Sequence, residues 1–224
     1  MPTRISIVIP VLDEAGHIAA ALAALAPLRA QGAELIVVDG GSRDGTPALC
    51  RGLADAVLAA PCGRAVQMNA GARAASGAVL LFLHADTALP EGALTLIAQA
   101  QARAAWGRFD VTISGRSRLL PVVAALMNAR SRLTGIATGD QALFVRRDAF
   151  DAVGGFPEQP LMEDIELSKR LRRVGAPACL RAKVRTSGRR WDRRGVWRTI
   201  LLMWRLRLLY WLGVPAERLA AAYR

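Results

Sequence analysis

The sequence predicts an α/β fold, a doubly wound and mostly parallel sheet, from three observations. Short apolar runs alternate with helical patterns through the first hundred residues, the runs are apolar on both faces, and every polar cluster falls where a run ends. Strands apolar on both faces and separated by helices belong to a parallel sheet covered on both sides. Ligands of such sheets sit outside the carboxyl ends of the strands. Asp13-Glu14, Asp39 to Asp44 and His84 to Asp86 are the clusters at those ends.

The expected strands are ISIVIP (5–10), ELIVVD (34–39), ADAVLAA (54–60) and AVLLFL (78–83), with helices over 14–28, 46–53 and 64–75 between them. Pro90 opens a further helix. WGRFDVTISG (106–115) and QALFVRR (141–147) read as later strands flanking a helix over 119–133, and a loop at 160–164 feeds a helix over 165–174. No internal repeat or low-complexity linker interrupts the chain.

At 224 residues, with 53% hydrophobic content, the chain has enough apolar material for one domain, or one domain with an appendage. Cys50, Cys62 and Cys179 lack CxxC spacing, so they read as packing residues in a reducing cytoplasm. A strand that starts almost at once leaves no room for a signal peptide, and no apolar run reaches bilayer length. The net charge of +12 is concentrated late: residues 169–224 hold sixteen Lys or Arg against Asp192 and Glu217. Such a segment suits an acidic partner, an anionic surface or a solvated basic face.

Trp197, Ile200, Leu201, Trp204, Leu208, Trp211 and Leu212 share one face of a C-terminal helix, and Leu202, Leu206, Leu209 and Tyr210 make the other face apolar too. With Arg198, Arg205 and Arg207 on the flanks, this helix suits a membrane interface, a second copy of the chain, or packing across the sheet. The expected division is a domain over 1–192 and a helical appendage over 193–224.

The local chemistry of each cluster is ambiguous alone. IVVDGGSRDGT (36–46) is a strand, an acid and two glycines that admit a ligand closely, but Asp-Gly-Gly is also a common turn. Arg64 at a helix start suits a phosphate, and Asn69 lies one turn on. Glu163-Asp164 is either a carboxylate pair for chemistry or a helix cap. His84 and Asp86 either end a strand or bind a metal.

Taken in order, ISIVIPVLDEA, VVDGGSRDGT, GRAVQMNAGARAASGAVLLFLHADT, GDQALFVRRDAFDAVGGFPE and MEDIELSKRLRRVG resemble a family 2 glycosyltransferase over residues 4–192. The similarity is greatest to the short bacterial selenium-domain-associated or arsenosugar-biosynthesis glycosyltransferases. It implies the GT-A fold, a Rossmann-like and mostly parallel sheet with helices on both faces, here ending in an amphipathic helix. By the same resemblance, Asp13 and Asp39 contact the nucleobase and ribose of a nucleoside-diphosphate sugar. Arg64 lies near the diphosphate with Asn69 behind it, and Arg189-Arg190-Trp191 match a basic-aromatic motif over the leaving diphosphate. Asp86 matches the last acid of a DxD motif that holds Mn²⁺ or Mg²⁺, and Asp164 matches the base of inverting members. Asp140, Gln141 and Glu163 fall on the acceptor side. Two departures stand out: Gly40 replaces a second acid after Asp39, and His84 replaces the first acid of DxD. Imidazole ligates Mn²⁺ but suits Mg²⁺ poorly, so His84 is a ligand, a phosphate contact or a strand cap.

The chemistry has its own requirements. Expelling a nucleoside diphosphate needs positive charge on the leaving group, from a cation together with Arg64 or Arg190. A carboxylate opposite takes the proton of the incoming hydroxyl, the part expected of Asp164. The expectation is an inverting, metal-dependent transferase, cytoplasmic or peripheral to the inner face of the cell membrane, acting on a small-molecule or lipid-linked acceptor. A polyprenyl-phosphate glycosyltransferase at the membrane surface is the first rival. The rival from another class is a basic RNA- or anionic-lipid-binding protein on an inactive scaffold. No RNA-reading motif is present, and the aromatics do not interleave with the basic residues as stacking requires, so no nucleic-acid partner is expected.

Overall fold

The computed structural model describes residues 4–223. Positions 1–3 and 224, the outermost of the expected domain limits, lie outside the described residues. Eight strands form one sheet in the order β3-β2-β1-β4-β7-β6-β8-β5. They are β1 (Ile5–Val11), β2 (Glu34–Asp39), β3 (Ala56–Ala59), β4 (Val79–Phe82), β5 (Thr87–Ala88), β6 (Trp106–Ser114), β7 (Phe144–Arg146) and β8 (Ala178–Ser187). The first four are parallel; β7 runs antiparallel to β4 and β6, and β5 antiparallel to β8.

Alternation along the strands explains why their runs are continuously apolar. Ile5, Ile7, Ile9 and Val11 enter one core with Leu35 and Val37, while Val8, Ile36 and Val38 enter a second core on the other face. The first core is covered by α1 (Ile18–Ala30), α4 (Ala93–Gln101) and α5 (Leu120–Thr134) through Leu22, Leu25, Ile97 and Val123. The second is covered by α3 (Arg64–Ala74), α6 (Arg147–Ala152) and α7 (Glu163–Val174) through Met68, Phe150, Leu167 and Leu171. The short α2 (Thr46–Cys50) adds the buried Cys50 to the first core.

Two expectations change. The strand expected over 141–147 is confined to β7, because Gly139–Gln141 forms a 3₁₀ turn and Arg147 opens α6. The strand β8 was not expected: Arg181, Lys183 and Arg185 point outward, alternating with buried Val184 and Thr186, and the charges hide its period. Beyond it come α8 (Arg189–Arg194), α9 (Val196–Trp211) and α10 (Ala216–Tyr223). Leu202, Leu206, Leu209 and Tyr210 of α9 pack with Leu161, Met162, Ile165 and Leu219. That leaves Trp197, Leu201, Trp204, Leu208, Trp211 and Leu212 56–78% exposed. Among the described residues, no helix is long and apolar enough to cross a membrane.

Candidate active site

The loops after β1 and β2 clip together at the strand ends. Asp13, in a left-handed conformation (φ 52°), accepts a hydrogen bond from the Arg43 amide at 2.8 Å, and its own amide donates to Ser42 Oγ at 2.8 Å. Asp39 is 6% exposed; its Oδ2 accepts from the Gly41 and Ser42 amides, each at 3.0 Å. Its Oδ1 is buried and has no protein donor, although a buried carboxylate oxygen normally finds one. Gln67, 3% exposed, donates to the Val11 and Val38 carbonyls at 2.8 Å each and so ties the two strand ends together. A Cβ at Gly40 would meet the Gln67 side chain at 3.0 Å, which accounts for the missing second acid.

His84 and Asp86 leave the end of β4 in different directions. His84 Nδ1 lies 3.5 Å from Asp140 Oδ1, and its ring rests on Gly139, where a Cβ would fall 2.5 Å from Cε1 and Nε2. Asp86 instead faces Arg189, whose guanidinium is 3.7 Å from Asp86 and 3.5 Å from Glu14. Among the described residues, no group of three or more His, Cys, Asp or Glu forms a metal cage. Of the two DxD positions at the end of β4, only Asp86 would offer a cation a carboxylate. That fits a hard divalent ion whose remaining ligands are diphosphate oxygens and water.

Across the cleft, α7 begins at Glu163-Asp164 after Met162, held left-handed at φ 66°. Non-glycine residues with positive φ cost about 1–3 kcal/mol and gather at functional sites. The three here, Asp13, Ala142 and Met162, all adjoin these loops. Asp164 Oδ2 accepts from the Gly139 amide at 2.9 Å and Oδ1 from the Ile165 amide at 2.7 Å, which fixes the carboxylate. Burial pushes the Glu163 carboxyl up, and the Asp164 charge pushes it further. Burial alone would raise Asp140 too, but the hydrogen bond and charge of His84, with Arg64 and Arg207, hold it below the usual range. Arg64 is exposed, and the charges of Tyr223, Glu163, Asp140 and Asp164 outweigh desolvation and raise its affinity for its proton.

Several expected site residues are occupied elsewhere. The Asn69 amide is spent on Phe156, donating to its carbonyl at 2.9 Å and accepting from its amide at 3.0 Å. Gln141 is fully buried, with Oε1 accepting from the Thr138 amide, so it shapes the Asp140 turn instead of meeting an acceptor. Trp191 packs against the first core. Arg190 stacks on the Tyr223 ring at 3.6 Å and donates to its carbonyl at 3.1 Å. Gln67, Arg130 and Tyr223 went unnoticed in the sequence, and Arg207 entered only as a flank of the C-terminal helix. A glutamine inside an apolar helix was the one available signal; the others are joined to the site only by folding. A groove of ≈ 700 Å³ reaches Asp86 and Arg189 from the side of His17 and Arg185, but touches neither Asp39 nor Asp164.

Glycosyl transferase family 2 matches residues 6–153, more than half of the chain. The chain belongs to that family. This family 2 glycosyltransferase resembles the mannosyltransferase PcManGT of Pyrobaculum calidifontis, solved with GDP-Man and Mn²⁺, at 21% identity and TM-score 0.65. The match covers 92% of this chain and 61% of that one. S. aureus TarS in complex with UDP-GlcNAc matches at 18% identity and TM-score 0.65, over 83% of this chain and 59% of that one. Glucosyl-3-phosphoglycerate synthase of Mycobacterium tuberculosis, with Mn²⁺, UDP and glucosyl-3-phosphoglycerate, matches at 21% identity and TM-score 0.62, over 95% and 81%. The family 2 chain therefore spans about three fifths of the first two relatives. The shared fold is the GT-A arrangement of a mostly parallel sheet wrapped by helices. The curated proteins give no match.

Proposed function

We propose that this chain transfers a sugar from a UDP- or GDP-sugar to a hydroxyl acceptor, with inversion at the anomeric carbon. The observation that carries this reading is the buried, donor-less Asp39 Oδ1 at the end of β2, together with an Asp164 carboxylate fixed by the Gly139 and Ile165 amides. Asp39 accepts from the donor's ribose, and Asp13 borders the base. Asp86 would hold a divalent cation, Mn²⁺ or Mg²⁺, whose charge offsets that of the diphosphate. Arg189 and Arg64 flank the leaving group, and Arg190 joins them once it leaves the Tyr223 ring. Asp164 takes the acceptor hydroxyl's proton as the oxygen attacks and the bond to the diphosphate oxygen breaks, its electrons leaving with the nucleotide. Asp140 and Glu163 line the acceptor side. Of the two DxD positions, His84 orients Asp140 in this reading and leaves the cation to Asp86. Relatives solved with GDP-Man, UDP-GlcNAc or UDP support the donor class. The narrower kinship with selenium-domain-associated and arsenosugar enzymes rests on the motifs alone. Residues 1–192 form the transferase domain in this reading, and 193–224 lend Arg207 and Tyr223 to its cleft. Donor hydrolysis should be compared between wild type and Asp164→Asn over a UDP- and GDP-sugar panel with Mn²⁺. Equal rates would remove Asp164 as the base.

A second reading concerns location. Six exposed Trp and Leu side chains along α9, with Arg198 and Arg205 also exposed, suit an anionic lipid surface on the inner face of the membrane. The acceptor would then be lipid-linked. Flotation with anionic vesicles at low salt tests it; no flotation, or a dimer by light scattering, would assign the stripe to a second copy.

A further inference from the structure

Two arginines that take no step in the transfer both feel the charge of the Asp164 carboxylate. Arg130 comes from α5 and Arg207 from α9, helices far apart in sequence. The Nε and Nη2 of Arg130 and the Nε of Arg207 are buried, and none has a protein acceptor. After desolvation, the charge most felt by Arg130 is Arg207, followed by Asp164, and Arg207 feels Asp164 and Asp140. Burial pulls Arg130 down to about 10 and lowers Arg207 as well.

Ordinary ion pairing does not account for them. The Asp164 oxygens already accept from Gly139 and Ile165, and Asp140 is engaged by His84. The adjacent Arg108, fully buried, pairs with Asp110, which also receives Arg132, although its Nε too lacks an acceptor. Leaving a buried donor unmet is costly, and like charges that feel one another add to that cost. The Nε–Nη2 edge of Arg130 is the fork that grips two oxygens of one anion. A tetrahedral dianion has enough oxygens and charge for both arginines, whereas a carboxylate has one charge and two oxygens.

We propose that Arg130 and Arg207 bind a phosphate group carried by the acceptor and thereby hold its nucleophile against Asp164. This deepens the transferase reading and rests on it. The phosphate belongs either to a soluble phosphate ester or to a lipid phosphate brought by the apolar face of α9.

The test begins with protein saturated by a nucleoside diphosphate and Mn²⁺, so that the donor site is already filled. If neither UDP nor GDP raises the melting temperature, the donor reading itself fails. If one does, inorganic phosphate is then titrated at constant ionic strength. A further rise is expected in wild type and in Arg198→Ala, weakened about tenfold or more in Arg130→Met and Arg207→Met. Their nucleotide response, unchanged, shows that these variants are folded. Arg130→Lys and Arg207→Lys, which keep charge without the fork, should also bind phosphate more weakly than wild type. No phosphate response in wild type, or equal responses in all variants, overturns the proposal. Phosphatidylcholine vesicles with and without a polyprenyl phosphate identify the source: flotation that needs the lipid phosphate and both arginines assigns a lipid acceptor, and its absence beside a positive phosphate titration assigns a soluble one.

Discussion

Replacing Gln67 with Met tests whether one side chain holds the donor end of the sheet together. The substitution keeps length and volume but deletes both 2.8 Å hydrogen bonds, to the Val11 and Val38 carbonyls. The Val11 carbonyl retains the Gly40 amide at 2.9 Å, so its loss is partial. With an unmet buried acceptor costing about 1–3 kcal/mol, the expected destabilisation is about 2–3 kcal/mol. For a chain of this size that lowers the melting temperature by about 4–12 °C. Because Gly40 and Asp39 sit beside Gln67, nucleoside-diphosphate binding should weaken along with stability. Thermal melts with and without UDP or GDP and Mn²⁺ measure both effects. A Gln67→Met protein that melts within about 1 °C of wild type and binds nucleotide equally would refute the reasoning, since the cost computed from the two bonds would be absent.

Other perturbations probe the neighbouring parts. Gly139→Ala should cost about 1–3 kcal/mol by forcing the His84 ring off its seat, and most of that cost should vanish in a His84→Ala background, read by denaturant melts as a double-mutant cycle. Glu163 is raised above its ordinary value, so its contribution to stability is present below that value and lost as pH climbs through the folded pKa. Glu163→Gln should therefore be more stable than wild type at pH 7 to 8, with the advantage shrinking in acid. Glu34 behaves oppositely. Burial would raise it, but hydrogen bonds from Ser6 and Ser76 win and lower it, so its contribution holds above the ordinary value of 4.5 and fades as pH falls below it. Glu34→Gln should cost about 1–2 kcal/mol at pH 7, a gap that closes in acid when melts are repeated across pH.

The sequence by itself determined the layering and the strand ends. An apolar period of two on both faces of β1 and β2 can be satisfied only by a sheet covered on both sides, so Asp13, Asp39 and Asp86 had to emerge at its carboxyl edge. The basic β8 stayed hidden because outward basic residues mask its period, and the strand expected over 141–147 shrank to the three residues of the antiparallel β7. What only the tertiary structure decided is which polar atoms are already spent. Asn69 is satisfied by Phe156, 87 positions away, and His84 by Asp140, while Asp39 Oδ1, Arg130 and Arg207 remain unmet. Spacing names residue types, but a hydrogen bond depends on distances between segments remote in the chain. The atoms left over for a ligand emerge only once the helices have packed.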